Sequence, residues 1–294
     1  MIVLLGSGGY VGSEFVRQLE HRAFHFACLS RTNCDFYRPE SFARKLKELR
    51  AEFVINCAGY TGKPNVDACE LHRSECLLAN AVLPGKIAEA CDRADIPWGH
   101  VSSGCIFTGA KPDGSGFSET DEPNFSFRTN NCSFYSGTKA LGEEVLSDDR
   151  RCYIWRLRIP FDHRDFPRNY LSKVLNYQRL LSATNSLSHL GEFVNACLEC
   201  WLRRVPTGTY NVVNTGSVTT QRVTELLTQH LVPNRRFDFF SDEAEFMRLA
   251  AKTPRSNCVL DNSKIRTTGI PMSNVEDAIV RALVDWSGRA RSEE

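Results

Sequence analysis

Tyr135-Ser136-Gly137-Thr138-Lys139 places a phenol and an ammonium four residues apart. On a helix that spacing puts both on one face. The ammonium can lower the phenol pKa, and the phenol can then give its proton to a carbonyl oxygen as hydride arrives. Ser102 and Ser103 end a short apolar run, Trp98–Val101, where a hydroxyl could polarise the same carbonyl. Taken singly, Tyr135 reads as core, Lys139 as a surface charge and the serines as a turn. Cys105, two residues beyond Ser103, adds a thiol to the same neighbourhood, against the alternative of a buried packing residue.

A second motif points to a cofactor. Gly6-Ser7-Gly8-Gly9-Tyr10-Val11-Gly12 follows the apolar run Met1–Leu5 and opens a stretch with apolar residues at helical spacing. Glycines let the backbone turn tightly and approach a diphosphate, and the helix N-terminus offers free N–H groups. Gly6, Gly9, Tyr10, Val11 and Gly12 are therefore candidate cofactor contacts. The second strand pattern, Phe24–Leu29, ends in Ser30-Arg31 and lacks the acidic residue that commonly holds the ribose hydroxyls of NAD. A hydroxyl and a guanidinium suit the 2′-phosphate of NADPH instead. The third strand pattern, Phe53–Asn56, runs into Cys57-Ala58-Gly59, small residues that would let the backbone pass close to the cofactor.

These residues need a scaffold, and the sequence supplies one. Strand and helix patterns alternate as far as Tyr153–Ile159, with helical runs at Pro39–Leu49, Glu75–Ala94 and Tyr135–Leu146. Such alternation predicts an α/β fold, a doubly wound parallel sheet of Rossmann type covered on both faces. After Pro160 the alternation weakens. Helical patterns follow at Leu190–Leu202, Gln221–His230 and Val275–Trp286, with a strand pattern at Gly208–Val213. The expected organisation is a cofactor-binding domain over 1–160 with a segment returning near 190–215. A smaller, discontinuous substrate lobe covers 161–189 and 216–287, and 288–294 forms a frayed tail.

The chain has 294 residues, 36 Lys+Arg against 35 Asp+Glu, and 42% hydrophobic residues. A net charge of +1 argues against a nucleic-acid or anionic-membrane binder. No apolar run reaches the roughly 20 residues that span a bilayer, and no signal-peptide pattern is evident, so the expected location is the cytoplasm. The 12 cysteines then read as reduced thiols, mostly in apolar segments. Cys197 and Cys200 have C-x-x-C spacing without a second ligand pair, so no metal site is expected.

The combined motifs resemble the extended short-chain dehydrogenase/reductases. Asn56–Thr61, Val66–Glu70, Ala79-Asn80-Ala81 and Thr253–Lys264 resemble the pattern of dTDP-4-dehydrorhamnose reductases. Ser102–Phe107, Gly116–Glu119, Glu122–Phe125 and Pro167–Lys173 are similar to the bifunctional 3,5-epimerase/4-reductases of plants and giant viruses. The link from Phe125 to Ser133 is longer than in that pattern. The resemblance implies an NADPH-dependent enzyme converting UDP- or dTDP-4-keto-6-deoxyglucose to nucleotide-linked L-rhamnose. It implies catalytic roles for Ser103, Tyr135 and Lys139, and assigns epimerisation to Cys105 and Lys173. Ala58, Gly59, Tyr60, Asn80 and Lys139 join the cofactor set, and Cys105, Asn169, Arg255 and Asn257 become substrate contacts. The expected partner is a nucleotide sugar, with neither nucleic acid nor membrane, and a homodimer is compatible with the reading. Two alternatives stand beside it: reduction without epimerisation, and a non-catalytic regulatory subunit, which intact Tyr135 and Lys139 disfavour.

Overall fold

The computed structural model describes residues 1–287. The tail expected at 288–294 lies outside the described residues. Six parallel strands form the central sheet: β1 (Ile2–Leu5), β2 (Phe26–Leu29), β3 (Phe53–Asn56), β4 (Trp98–Ser103), β5 (Cys152–Leu157) and β6 (Gly208–Asn211). Their spatial order is β2-β1-β3-β4-β5-β6, so the chain reverses direction across the sheet between β1 and β3. In a doubly wound sheet, loops leave such a switch point on opposite faces and open a crevice at the strands' carboxyl ends.

Why the strands read as unbroken apolar runs is visible in β1. Ile2 and Leu4 face one core with Phe15, Phe53, Trp155 and Phe193, whereas Val3 and Leu5 face another with Phe42, Leu46, Ile87 and Trp98. With both faces covered, alternation gives way to continuous hydrophobicity. Helices α1 (Tyr10–His21) and α6 (Leu190–Leu202) supply the first cover; α2 (Pro39–Glu48) and α3 (Leu83–Ala94) supply the second, beside helix α4 (Phe134–Val145).

The helix expected at Glu75–Ala94 is interrupted. An α-turn at Arg73–Leu77 passes through a π-turn at Leu78–Val82 before α3 begins. Pro84 explains the break. It has no N–H to give to the carbonyl of Asn80 four residues back, and its ring crowds that position. The other expected elements form with ends moved by a few residues, the usual scatter at frayed termini.

Beyond Phe161 the chain builds a second core from Phe161, Leu171, Val174, Leu227, Ile279, Leu283 and Trp286. Its helices are α5 (Tyr170–Asn176), α7 (Thr220–His230) and α8 (Val275–Val284). It sits beside the carboxyl edge of the sheet, leaving a cavity of about 1220 Å³. Among the described residues, no helix is long and apolar enough to cross a membrane. All twelve cysteines are free thiols, and Cys197 and Cys200 are buried in the core beside α1.

Candidate active site

The glycine-rich turn forms one wall of the cavity. Gly6 has φ +78°, and a Cβ there would lie 2.6 Å from the Ala58 nitrogen. A Cβ on Gly12 would meet the Gly6 carbonyl oxygen at 2.1 Å, so only glycine lets α1 start this close to β1. Gly9, Tyr10, Val11 and Gly12 line the cavity. The N-terminus of α1 has no side-chain cap and no acidic residue in its first turn. Its free N–H groups are therefore unclaimed by the protein's own carboxylates, as an anion site requires.

The loop after β3 runs alongside. Asn80, fully buried, accepts a hydrogen bond from the Tyr60 N–H and donates one to the Tyr60 carbonyl, both at 2.8 Å. It also donates to the Thr138 hydroxyl at 3.2 Å. Asn80 thus ties the loop carrying Ala58, Gly59 and Tyr60 to α4 rather than facing the cavity. Ser30 and Arg31 are exposed at the carboxyl end of β2, with the Ser30 and Thr32 hydroxyls 2.7 Å apart.

Helix α4 presents Tyr135, Lys139 and Glu143 on one face. Ser133 caps it, accepting from the Ser136 N–H at 3.2 Å. The Lys139 ammonium donates to the Val101 carbonyl at 3.3 Å, beside Gly59. Burial lowers its pKa, against the pull of nearby Cys105 and Glu143. Burial pushes the Tyr135 phenol up, while a hydrogen bond with Ser103 works the other way. Ser103 also accepts from the Cys105 N–H at 3.2 Å, starting a tight 3₁₀ turn at Gly104–Ile106. The Cys105 thiol, raised by burial, is bonded to Ser103 and Ser136 and is drawn down by Arg158 and Lys139. Behind this face, Glu143 and Arg156 form a buried ion pair at 2.8 Å, and Glu143 accepts from Ser102 at 2.5 Å.

From the second lobe, α5 brings Lys173 to the cavity. Burial and the facing Arg168 lower its pKa. Arg255 and Asn257 line the cavity too, although Arg255 is already paired with Asp67 at 2.8 Å. Asn169 departs from the expectation of a substrate contact. It is fully buried, donates to Asp162 and Arg164, and accepts from the Leu171 N–H as the cap of α5. Its amide is consumed in aiming Lys173. The residue that sequence reasoning overlooked is Arg158, which lines the cavity next to Cys105. Its signal was the Arg156-Leu157-Arg158 spacing, which at the end of an extended strand sends two arginines to one side of the chain.

The chain matches the family model described as RmlD substrate binding domain over residues 1–287. A bifunctional dTDP-4-dehydrorhamnose 3,5-epimerase/reductase of Arabidopsis thaliana is 31% identical over 82% of this chain and 79% of its own length. A trifunctional Arabidopsis thaliana UDP-glucose 4,6-dehydratase/3,5-epimerase/reductase is also 31% identical over 85% of this chain, which spans only 37% of that protein. The UDP-rhamnose synthase of Acanthamoeba polyphaga mimivirus superposes with a TM-score of 0.88 at 25% identity, covering 97% of this chain and 98% of the other. A dTDP-4-dehydrorhamnose reductase of Bacillus anthracis, in complex with NADP, gives 0.78 at 17% identity, covering 97% of each chain, a likeness of fold.

Proposed function

We propose, because this chain belongs to the RmlD substrate binding domain family, that it is an NADPH-dependent nucleotide-sugar reductase and 3,5-epimerase. Its substrate is UDP- or dTDP-4-keto-6-deoxyglucose and its product the nucleotide-linked L-rhamnose. One observation carries the reading: Ser103, Tyr135, Lys139 and the uncapped start of α1 converge on a single cavity. The bifunctional plant relative and the mimivirus synthase support the substrate class.

The uncapped helix start and the glycine turn fit a dinucleotide diphosphate. In this reading Gly9–Gly12 hold that diphosphate, Ser30 and Arg31 the 2′-phosphate, and Lys139 the ribose. When bound, NADPH supplies hydride to C4 of the sugar. Tyr135 gives its phenolic proton to the C4 oxygen, and Ser103 hydrogen-bonds that oxygen. Because burial holds the phenol protonated, Tyr135 is a donor across the neutral range.

The ketone also acidifies the C3 and C5 protons that flank it. The Cys105 thiolate takes such a proton, and the electron pair moves to the C4 oxygen as an enolate held by Ser103 and Tyr135. The Lys173 ammonium returns a proton to the carbon from another side. Arg255 and Asn257 hold the nucleotide sugar. Free thiols throughout the chain favour a reducing, cytoplasmic setting.

The test is incubation with UDP- or dTDP-4-keto-6-deoxyglucose and NADPH in deuterium oxide, followed by NMR of the product. The expected result is nucleotide-linked L-rhamnose carrying deuterium at C3 and C5. Turnover of 4-keto-rhamnose alone reduces the function to 4-reduction. No NADPH oxidation with either sugar overturns the enzyme reading in favour of a regulatory role.

A further inference from the structure

Arg158 is a cation without a counterion. It is 5% exposed, and no carboxylate pairs with it among the described residues. One guanidinium nitrogen, Nη2, donates to the Asn185 side-chain oxygen and, at 2.6 Å, to the Ser256 carbonyl; the Nε is buried with no partner. Asn185 in turn donates to Asn257 at 3.1 Å, so the guanidinium is braced by neutral dipoles only. A buried guanidinium normally recruits a carboxylate, because an unpaired charge taken out of water is left without the solvation that stabilised it. The buried arginine two residues earlier, on β5, does so: Arg156 has Glu143.

The position of Arg158 indicates which anion it serves. Its stem crosses the backbone of Gly104, where an added Cβ would lie 3.4 Å from the arginine Cδ. The next residue is Cys105, and both side chains line the cavity. We propose that Arg158 is the electrostatic partner of the Cys105 thiolate during epimerisation. The inference rests on the epimerase reading given above. The cation has no permanent partner because its partner is transient: the thiolate that forms before proton abstraction. The proton taken from carbon leaves Cys105 for solvent, and Lys173 is reprotonated from solvent, so charge and protons balance over a cycle.

Other groups face this thiol. Ser103 and Ser136 bond to it, Lys139 is a second cation, and Tyr135, Cys69 and Cys132 are neutral acids whose ionisation would oppose its own. Lys139 already belongs to the reduction machinery. Arg158 is the cation that acts on Cys105 without a place in the Tyr135–Lys139 pair, so its loss should separate the two activities.

The experiment compares the wild type, Arg158→Met, Arg158→Lys and Cys105→Ala. The first measurement is the pH midpoint of iodoacetamide labelling at Cys105, resolved by peptide mass spectrometry. The second is deuterium wash-in at C3 and C5 of the 4-keto sugar. The third is NADPH-dependent reduction of pre-epimerised 4-keto-rhamnose. In Arg158→Met the labelling midpoint should rise by about one pH unit and wash-in should fall roughly tenfold, while reduction changes much less. Arg158→Lys should recover part of both losses, because the charge is restored. An unchanged midpoint in Arg158→Met, or wash-in and reduction falling together, overturns the assignment while leaving epimerisation intact. Absent wash-in in the wild type overturns the epimerase reading itself and the role of Arg158 with it; unchanged wash-in in Cys105→Ala removes Cys105 as the base, and with it the role of Arg158, while epimerisation stands.

Discussion

In the proposed reduction Tyr135 must both hold its proton and release it on demand, and burial serves the first need. Tyr135→Phe keeps the ring and removes the donor, so NADPH oxidation with a 4-keto sugar should fall about 100-fold or more. A near-normal rate would dismiss Tyr135 as the acid. The two activities should also differ in pH dependence. The Cys105 thiol lies above its ordinary range, so below that point the thiolate fraction rises up to about tenfold per pH unit. Wash-in of solvent deuterium should therefore climb with pH while both Cys105 and Lys173 are protonated. Reduction should stay nearly level over the same range, because the raised phenol stays protonated. Parallel profiles for both activities would contradict separate acids. Tyr135 and Lys139 were legible because their spacing puts them on one helix face, and Ser103 because it ends the apolar run of β4. Asn169 was not, since a sequence cannot say whether an amide faces a ligand or caps the next helix.

Helix α4 carries Tyr135 and Lys139 on a seam continued by Glu143, and that carboxylate fixes the helix against β4 and β5 through Ser102 and Arg156. Both members of the ion pair are close to fully buried, at 10% and 5% side-chain exposure. Glu143→Ala would leave the Arg156 charge uncompensated, at an expected cost of about 3–5 kcal/mol. Urea unfolding checks this. A loss below about 1 kcal/mol would rank the pair with exposed salt bridges, which have that small worth. Replacing both partners by apolar residues of similar volume should recover much of the loss, since neither charge is then stranded. The π-turn at Leu78–Val82 illustrates what sequence reading misses at this scale. Helical periodicity continues through it, and the interruption follows from one missing N–H at Pro84. Its consequence reaches the loop after β3, because Asn80 lies in that turn and braces the Tyr60 loop.

At the scale of the whole molecule, the sheet was readable because apolar runs between turn signals have few other solutions, whereas the second lobe's two-residue strand pairs carry almost no pattern. The two parts are nevertheless joined at the cofactor wall. Tyr10, in the first turn of α1, stacks on Phe166 with ring centroids 5.0 Å apart. Arg164 reaches back to the buried Glu14 of α1 at 3.3 Å while holding Asp162. A ligand that settles on the start of α1 therefore braces the segment leading into the second lobe. NADPH at a hundredfold excess over its Kd should raise unfolding stability by about 2.7 kcal/mol, seen as an upward shift of one cooperative transition. NADH at the same concentration should shift it less, because Ser30 and Arg31 would have no phosphate to meet. Arg31→Ala should weaken NADPH by about 1.5–3 kcal/mol, the worth of a charge-assisted contact, with little change for NADH. The thermal shifts of the two cofactors should then converge in the variant. If the wild type is stabilised more by NADH, or Arg31→Ala weakens both equally, the 2′-phosphate does not sit at the end of β2.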